Sequence, residues 1–327
     1  MLSVSNACAG GGPELEIRIL HQIIENRILI LIVLIFISMG SIDPDFLGSN
    51  NLISILLKIS IEGIIVIGMA YLIILREIDL SVGETMGLGS FFAITFQQYG
   101  VTAGIVAGVL AGAFVGIVNG ILVTRLKLPS IAITLGTMVL INGTIFVLTG
   151  ATSLAGTNEN FTRIAQAAII GIPIPIFLML GLTLLFNIVL TRSKFGRSVY
   201  AVGGNEVASR YAGINADRIK LVAFVLTGVF AGFAGVLLAS RFNIASGALG
   251  ASTPLFVITA VLIGGVSLAG GEGSVFKAFQ GLLLVAVVEN ALIRLDVYSS
   301  VKLMVMGGLL ILTLVIDSIY TRKQQFQ

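Results

Sequence analysis

The sequence predicts an all-α polytopic membrane protein of about ten transmembrane helices, some short or broken, with both termini cytoplasmic. Composition is the first ground. Of 327 residues, 57% are hydrophobic, a further 39 are glycine and only 11% carry charge, where soluble domains carry roughly a quarter. The second ground is arrangement, since charge-free stretches cover 85–124, 128–158, 164–191, 221–240 and 242–271, and about 20 residues suffice to cross a hydrocarbon core. The third is that these stretches lack the two-residue alternation of a barrel strand, which leaves the helix as the element that satisfies its own backbone in lipid.

Cutting the apolar runs at polar or Pro/Gly-rich breaks places spans at 27–41, 52–75, 82–97, 101–123, 130–149, 168–191, 219–240, 253–269, 275–293 and 302–320. The third and eighth are short and rich in Gly, Ser and Thr, so each is expected to be a broken or re-entrant helix covered by protein or water. Residues 1–26 are polar and lack the layout of a secretory signal. The expected division is therefore a cytoplasmic tail at 1–26, one transmembrane domain at 27–320 with a cytoplasmic loop at 192–218, and a cytoplasmic tail at 321–327. With that orientation the outside keeps only Arg163, Arg241, Arg294 and Lys302, and Lys58 lies within a span, so fourteen of the 19 basic residues fall inside. This is the positive-inside bias of a cytoplasmic-membrane protein.

In the fourth span Gly104, Gly108, Gly112, Gly116 and Gly120 recur every fourth residue, and Gly228 and Gly232 repeat the theme in the seventh. Such a face lets another helix approach backbone to backbone. Two readings stand: fixed packing inside the bundle, or a surface that slides during transport.

One histidine, His21, and one cysteine, Cys8, exclude a thiol pair, a His-rich metal centre and a Ser/His/Asp site deep in the fold. The basic residues sit between apolar spans rather than on a soluble face, which points to membrane lipid and not to nucleic acid. Polar residues inside the spans are candidates for a pathway: Glu62, with Lys58 four residues earlier on the same helix face, Asn119, and Glu289 with Asn290. Lys58 and Glu62 could equally neutralise each other, and Asn119 and Asn142 could be interhelical hydrogen-bonding groups. Asp79 and Ser81 read first as a cap for the third span and second as part of the pathway or its gate. The segment Arg241 to Thr253 reads as an external gate, a docking surface or a plain loop.

The longest polar stretch, Thr191 to Lys220, looks locally ordered. After Gly203 and Gly204, Asn205 can cap a short amphipathic helix with Glu206 in its first turn, Ser209 and Arg210 following, and Gly213 after Ala212 as its terminator. Here a resemblance enters. Gly196-Arg197-Ser198-Val199-Tyr200-Ala201-Val202-Gly203-Gly204-Asn205-Glu206 through Ala212-Gly213-Ile214-Asn215 resembles the cytoplasmic loop of ribose-type ABC sugar importer permeases. Ile78-Asp79-Leu80-Ser81-Val82-Gly83 is similar to that family's early signature. The run Gly264, Gly265, Val266, Ser267, Leu268, Ala269, Gly270, Gly271, Glu272, Gly273, Ser274 is similar to its late glycine-rich one. The likeness covers almost everything after residue 45. The chain departs from it at Arg76, Glu77 and Glu84, which crowd the early motif with charge, and at Glu272, where the family often carries a base.

The resemblance implies a transmembrane subunit that pairs with a second permease, identical or paralogous, two cytoplasmic ATPase subunits and an external solute-binding protein. The helix near Gly204 to Ala212 would be its coupling helix. ATP and Mg would be used by the partner ATPase, with no cofactor in this chain, which holds no GxxxxGK[ST] loop. A substitution at Gly204 or Glu206 is then expected to lower transport. The competing expectation is an ion-coupled secondary carrier that uses Glu62 and Glu289 as proton sites.

Overall fold

The computed structural model describes residues 27–247 and 249–325. The predicted tail at 1–26, with Cys8 and His21, lies outside them. In chain order the helices are α1 Arg27–Ile42, α2 Ser49–Ile74, α3 Val82–Phe96, α4 Val101–Arg125, α5 Ser130–Thr149, α6 Glu159–Gln166 and α7 Ile174–Arg192. They continue with α8 Lys194–Gly204, α9 Glu206–Tyr211, α10 Ala216–Phe242, α11 Thr253–Ile263, α12 Val275–Arg294 and α13 Ser299–Gln325. All but α6, α8 and α9 follow the predicted spans, and six of them (α2, α4, α5, α7, α10 and α12) are long and apolar enough to cross a membrane.

The middle of the bundle is made by α2 and α10. Every residue of α2 from Gly63 to Ile74 is buried, as expected for a helix that is hydrophobic all round and surrounded by others. Around α10 pack α2, α3 and α4. There the glycine stripe has its partner: a Cβ on Gly112 would lie 2.2 Å from the carbonyl oxygen of Gly228, and a Cβ on Gly228 would lie 2.3 Å from that of Gly112. The helices touch backbone to backbone, so this face packs inside the bundle. At the periphery α5 and α7 turn Leu140, Val147 and Leu184 outward, an apolar surface suited to lipid.

Two predicted boundaries are corrected. The sixth span does not start at 168, because Ala168–Ile169 (β2) and Ile172–Pro173 (β3) form an antiparallel hairpin ahead of α7. Gly171, at φ 78°, makes the reversal. The eighth span does not reach 269: α11 stops at Ile263, and Gly265 at φ 87° turns the chain away although Val266, Leu268 and Ala269 prolong the apolar run.

At one end of the bundle, Leu154–Ala155 (β1) pairs antiparallel with Ile244–Ala245 (β4). The amphipathic α6 lies against the same end, its Phe161 carbonyl accepting a hydrogen bond from the Ser240 hydroxyl at 2.7 Å. The opposite end gathers the chain between α2 and α3, helices α8 and α9, and the glycine-rich connection between α11 and α12.

Candidate functional site

The chain just ahead of the early motif, the loop motif more than a hundred residues later and the late glycine motif about fifty residues beyond that meet at that opposite end. Where α2 runs out, the Ile74 carbonyl accepts a hydrogen bond from the Gly271 N–H at 2.9 Å. The Arg76 guanidinium donates to the Gly204 carbonyl at 2.7 Å. From α8, the Tyr200 hydroxyl donates to the Gly273 carbonyl at 2.7 Å. These contacts leave no space for side chains: a Cβ on Gly203 would lie 1.8 Å from the Ile74 oxygen, and one on Gly270 would lie 2.4 Å from Arg76 Cγ. Gly264 is equally confined, 2.3 Å from the Lys277 carbonyl oxygen. In the same connection Ser267 Oγ accepts from the Ala269 N–H at 3.2 Å, and Ser274 Oγ caps α12 by accepting from the Lys277 N–H at 3.1 Å.

The predicted cap of α9 forms as expected, with Asn205 Oδ1 accepting from the Ala208 N–H at 2.9 Å and Gly213 at φ 83° ending the turn. Charge then ties this short helix to the spans. Lys220 of α10 bridges Glu206 and Glu77, each at 2.7 Å, while Arg210 bridges Glu206 and Asp217, and Lys127 also reaches Asp217. Ser209 is buried beneath the helix, but Val207 is 64% and Tyr211 90% exposed. The outer face of α9 is thus apolar and its inner face charged. The hydrogen bond from Lys220, joined by Arg210, holds the Glu206 carboxyl below the usual glutamate range against the opposing effect of burial.

A depressed folded pKa contributes stability above the ordinary glutamate value, which is lost as pH falls through the folded value. Amide-exchange protection of residues 206–217, corrected for intrinsic rates, should therefore persist on mild acidification and disappear only once pH has fallen past the ordinary glutamate range. Lys220→Met should move that loss to higher pH. An unchanged profile in Lys220→Met would remove Lys220 from the network.

Asp79 and Ser81 do not cap α3 as expected. Ser81 stands at the N-cap position without a side-chain cap bond, and Asp79 Oδ1 instead accepts from the Ser81 N–H at 2.8 Å and the Ser81 hydroxyl at 2.6 Å. The polar chain continues into the bundle, since Asn119 Nδ2 donates to Ser81 Oγ at 2.9 Å and the Thr137 hydroxyl donates to Asn119 Oδ1 at 2.7 Å. Asn119 thus forms interhelical hydrogen bonds that join the turn before α3 to α4 and α5. Gly83 follows in close contact, its Cβ position 2.2 Å from the Gly250 carbonyl oxygen.

The expected pairing of Lys58 with Glu62 is also corrected: the Lys58 ammonium forms its ion pair across the helix interface with Glu289 of α12. Asn51 and Asn290 exchange hydrogen bonds beside it at 3.0 and 3.1 Å. Glu62 keeps a buried oxygen without a hydrogen-bond partner among the described residues. These groups lie far along α2 from the motifs, so the structure forms two separate polar regions.

Residues 51–314 match the family model described as the permease component of the branched-chain amino acid transport system. The chain belongs to this family. It is 35% identical to the D-allose transport system permease protein of Escherichia coli, over 90% of this chain and 91% of that one. It is 34% identical to the ribose import permease protein of Haemophilus influenzae, over 91% of this chain and 94% of that one. With the L-arabinose transport system permease protein of Escherichia coli the identity is 33%, over 99% and 98%. This permease is accordingly a multi-pass protein of the inner membrane.

Reading the sequence located the motifs of this permease but missed what joins them. Arg76, Tyr200 and Lys220 carry the contacts between segments, and Glu77 supplies a carboxylate to Lys220. A signal for two of them was present, because Arg76 and Glu77 are the charges that depart from the family pattern around the early motif. The steric weight also moves by one residue: nothing lies within 4 Å of a Cβ on Gly204, whereas Gly203 is enclosed. Glu272 is exposed at the tip of the late motif.

Proposed function

We propose that this permease is the membrane subunit of an ATP-driven importer for a monosaccharide or a similarly small polar solute. The observation that carries the reading is the convergence of the end of α2 with Arg76, the α8–α9 segment and the late glycine motif on one end of the bundle. A force applied to α9 reaches α10 through Lys220 and Arg210, and reaches the end of α2 through Arg76 and Gly203. The apolar outer face of α9, Val207 and Tyr211, suits a groove on an ATPase subunit, as an amphipathic helix suits any apolar groove. Two such subunits bind and hydrolyse ATP with Mg. A second permease, identical or paralogous, completes the pathway, and an external binding protein delivers the solute. Relatives named for D-allose, ribose and L-arabinose transport support a sugar of that kind as the solute.

The test is reconstitution of the permease with its ATPase and binding protein in proteoliposomes, followed by uptake of these three sugars and of xylose. Uptake of one of them should require ATP and survive an uncoupler. Tyr211→Asp with Val207→Asp should abolish co-purification of the ATPase and leave sugar capture by the binding protein intact. Uptake that follows an ion gradient without ATP would overturn the reading and favour the secondary carrier.

A further inference from the structure

The two short helices begin side by side within the bundle. Helix α11 has 11 residues and is about 16 Å long at 1.5 Å per residue, so its first turn lies near the middle of a core about 30 Å thick. The first turn of α3 is its neighbour, since a Cβ on Gly83 would meet the Gly250 carbonyl oxygen at 2.2 Å and Pro254 Cδ at 2.8 Å. The chain after β4 therefore descends from the end opposite the motifs to mid-depth. Irregular backbone persists at that depth where protein covers it or where it borders a water-filled cavity.

Glu84 stands at this meeting point, on the first turn of α3, and is only 5% exposed. Asn142 of α5 is its nearest polar neighbour in the electrostatics of the site, and Asn142 Nδ2 lies 3.5 Å from the Gly247 carbonyl oxygen. Glu84 Oε2 is buried and has no hydrogen-bond partner among the described residues. The Thr85 hydroxyl, on a residue 1% exposed, has none either. An acid near a helix N-terminus favours the helix dipole, but an exposed acid does that equally well. Burial of a carboxylate with one oxygen unpaired is costly and calls for a further explanation. In a membrane segment such a group is a functional candidate by default.

We propose that Glu84, with Asn142 opposite it, contacts the solute in the pathway and sets its selectivity. The free carboxylate oxygen accepts a hydroxyl O–H, and the Asn142 amide donates to or accepts from a neighbouring hydroxyl. The pair fits a neutral polyhydroxylated solute, and the carboxylate repels phosphorylated or other anionic analogues. This rests on the import reading above.

The test begins from Cys8→Ser, which removes the chain's one cysteine. Glu84→Cys and Asn142→Cys, in the complex with its ATPase and binding protein, are treated with a charged, water-soluble methanethiosulfonate. Tyr211→Cys serves as the aqueous control and Leu184→Cys, 63% exposed on the apolar periphery of α7, as the lipid-facing one. Both site cysteines should react, in the nucleotide-free or the vanadate-trapped complex, and whichever of D-allose, ribose, L-arabinose or xylose the wild type takes up should slow the reaction. Glu84→Gln should raise KM for that sugar about tenfold, the loss of a charge-assisted hydrogen bond, with kcat within about twofold, whereas a purely structural role would lower folded yield and kcat together. Inert cysteines in both nucleotide states, or a wild-type KM in Glu84→Gln, would overturn the proposal. Should Glu84→Cys not assemble, Asn142→Cys and Glu84→Gln still decide it. Failure of the import reading has its own sign, absence of ATP-dependent uptake in the wild type, and leaves the labelling result independent.

Discussion

Gly203→Ala should lower ATP-dependent uptake by the assembled transporter at least about tenfold, while Gly204→Ala, one residue further on, should stay within about twofold of wild type. The difference is geometric. The new methyl at 203 would lie 1.8 Å from the Ile74 carbonyl oxygen and 2.8 Å from the Gly271 nitrogen, which are themselves hydrogen-bonded at 2.9 Å. Neither obstacle is a flexible side chain, so α8 has to move away from the end of α2 or the Ile74–Gly271 bond has to open. At Gly204 the same methyl meets nothing within 4 Å, and alanine is the better helix former. ATPase stimulation by the loaded binding protein should fall in Gly203→Ala together with uptake. Capture of solute by the binding protein should be unchanged. Equal behaviour of the two variants would mean that this contact does not transmit motion.

Sequence marks Gly203 and Gly204 alike, and the structure distinguishes them sterically. A Gly-Gly pair signals that a backbone comes close, but only the packing of α8 against the end of α2 decides which of the two faces the neighbour. The same limit governs the ion pairs. Sequence spacing presents Lys58 and Glu62 as partners on one helix, because neighbours at i and i+4 are visible in a string. Glu289 is visible only once α12 lies against α2. What could be read directly were features fixed by local physics: the long apolar helices and the Asn205 cap. The end of α11 was hidden because apolar residues continue past the Gly264-Gly265 turn, and hydropathy does not register a left-handed φ. Local sequence favours a capping role for Asp79, because acids ahead of helices commonly cap them. Its actual partners, reached through Ser81 to Asn119 and Thr137, lie on helices that arrive later in the chain.

Gly112→Ala should destabilise the bundle far more than Gly120→Ala, although both residues belong to one regular stripe. At Gly112 the added carbon would lie 2.2 Å from the Gly228 carbonyl oxygen and 2.7 Å from the Gly232 Cα and nitrogen, so backbone blocks it on every near side. At Gly120 the nearest atom is Leu221 Cδ1 at 2.7 Å, the end of a side chain that can change rotamer. Overpacking a filled interface costs about 1–3 kcal/mol, and Gly112→Ala belongs at or above the top of that range, with Gly120→Ala near the bottom. The measurement is thermal unfolding in detergent, followed by size-exclusion fluorescence. A loss of monodisperse protein for Gly112→Ala, beside a near-wild-type profile for Gly120→Ala, is the expected result. Helix propensity alone predicts the reverse sign at both sites, because alanine replaces glycine within a helix, so equal or improved stability would show that α4 and α10 do not meet backbone to backbone. A variant that folds normally yet fails to transport would instead favour the sliding reading of the stripe, since the methyl would then obstruct a second arrangement and not the one described.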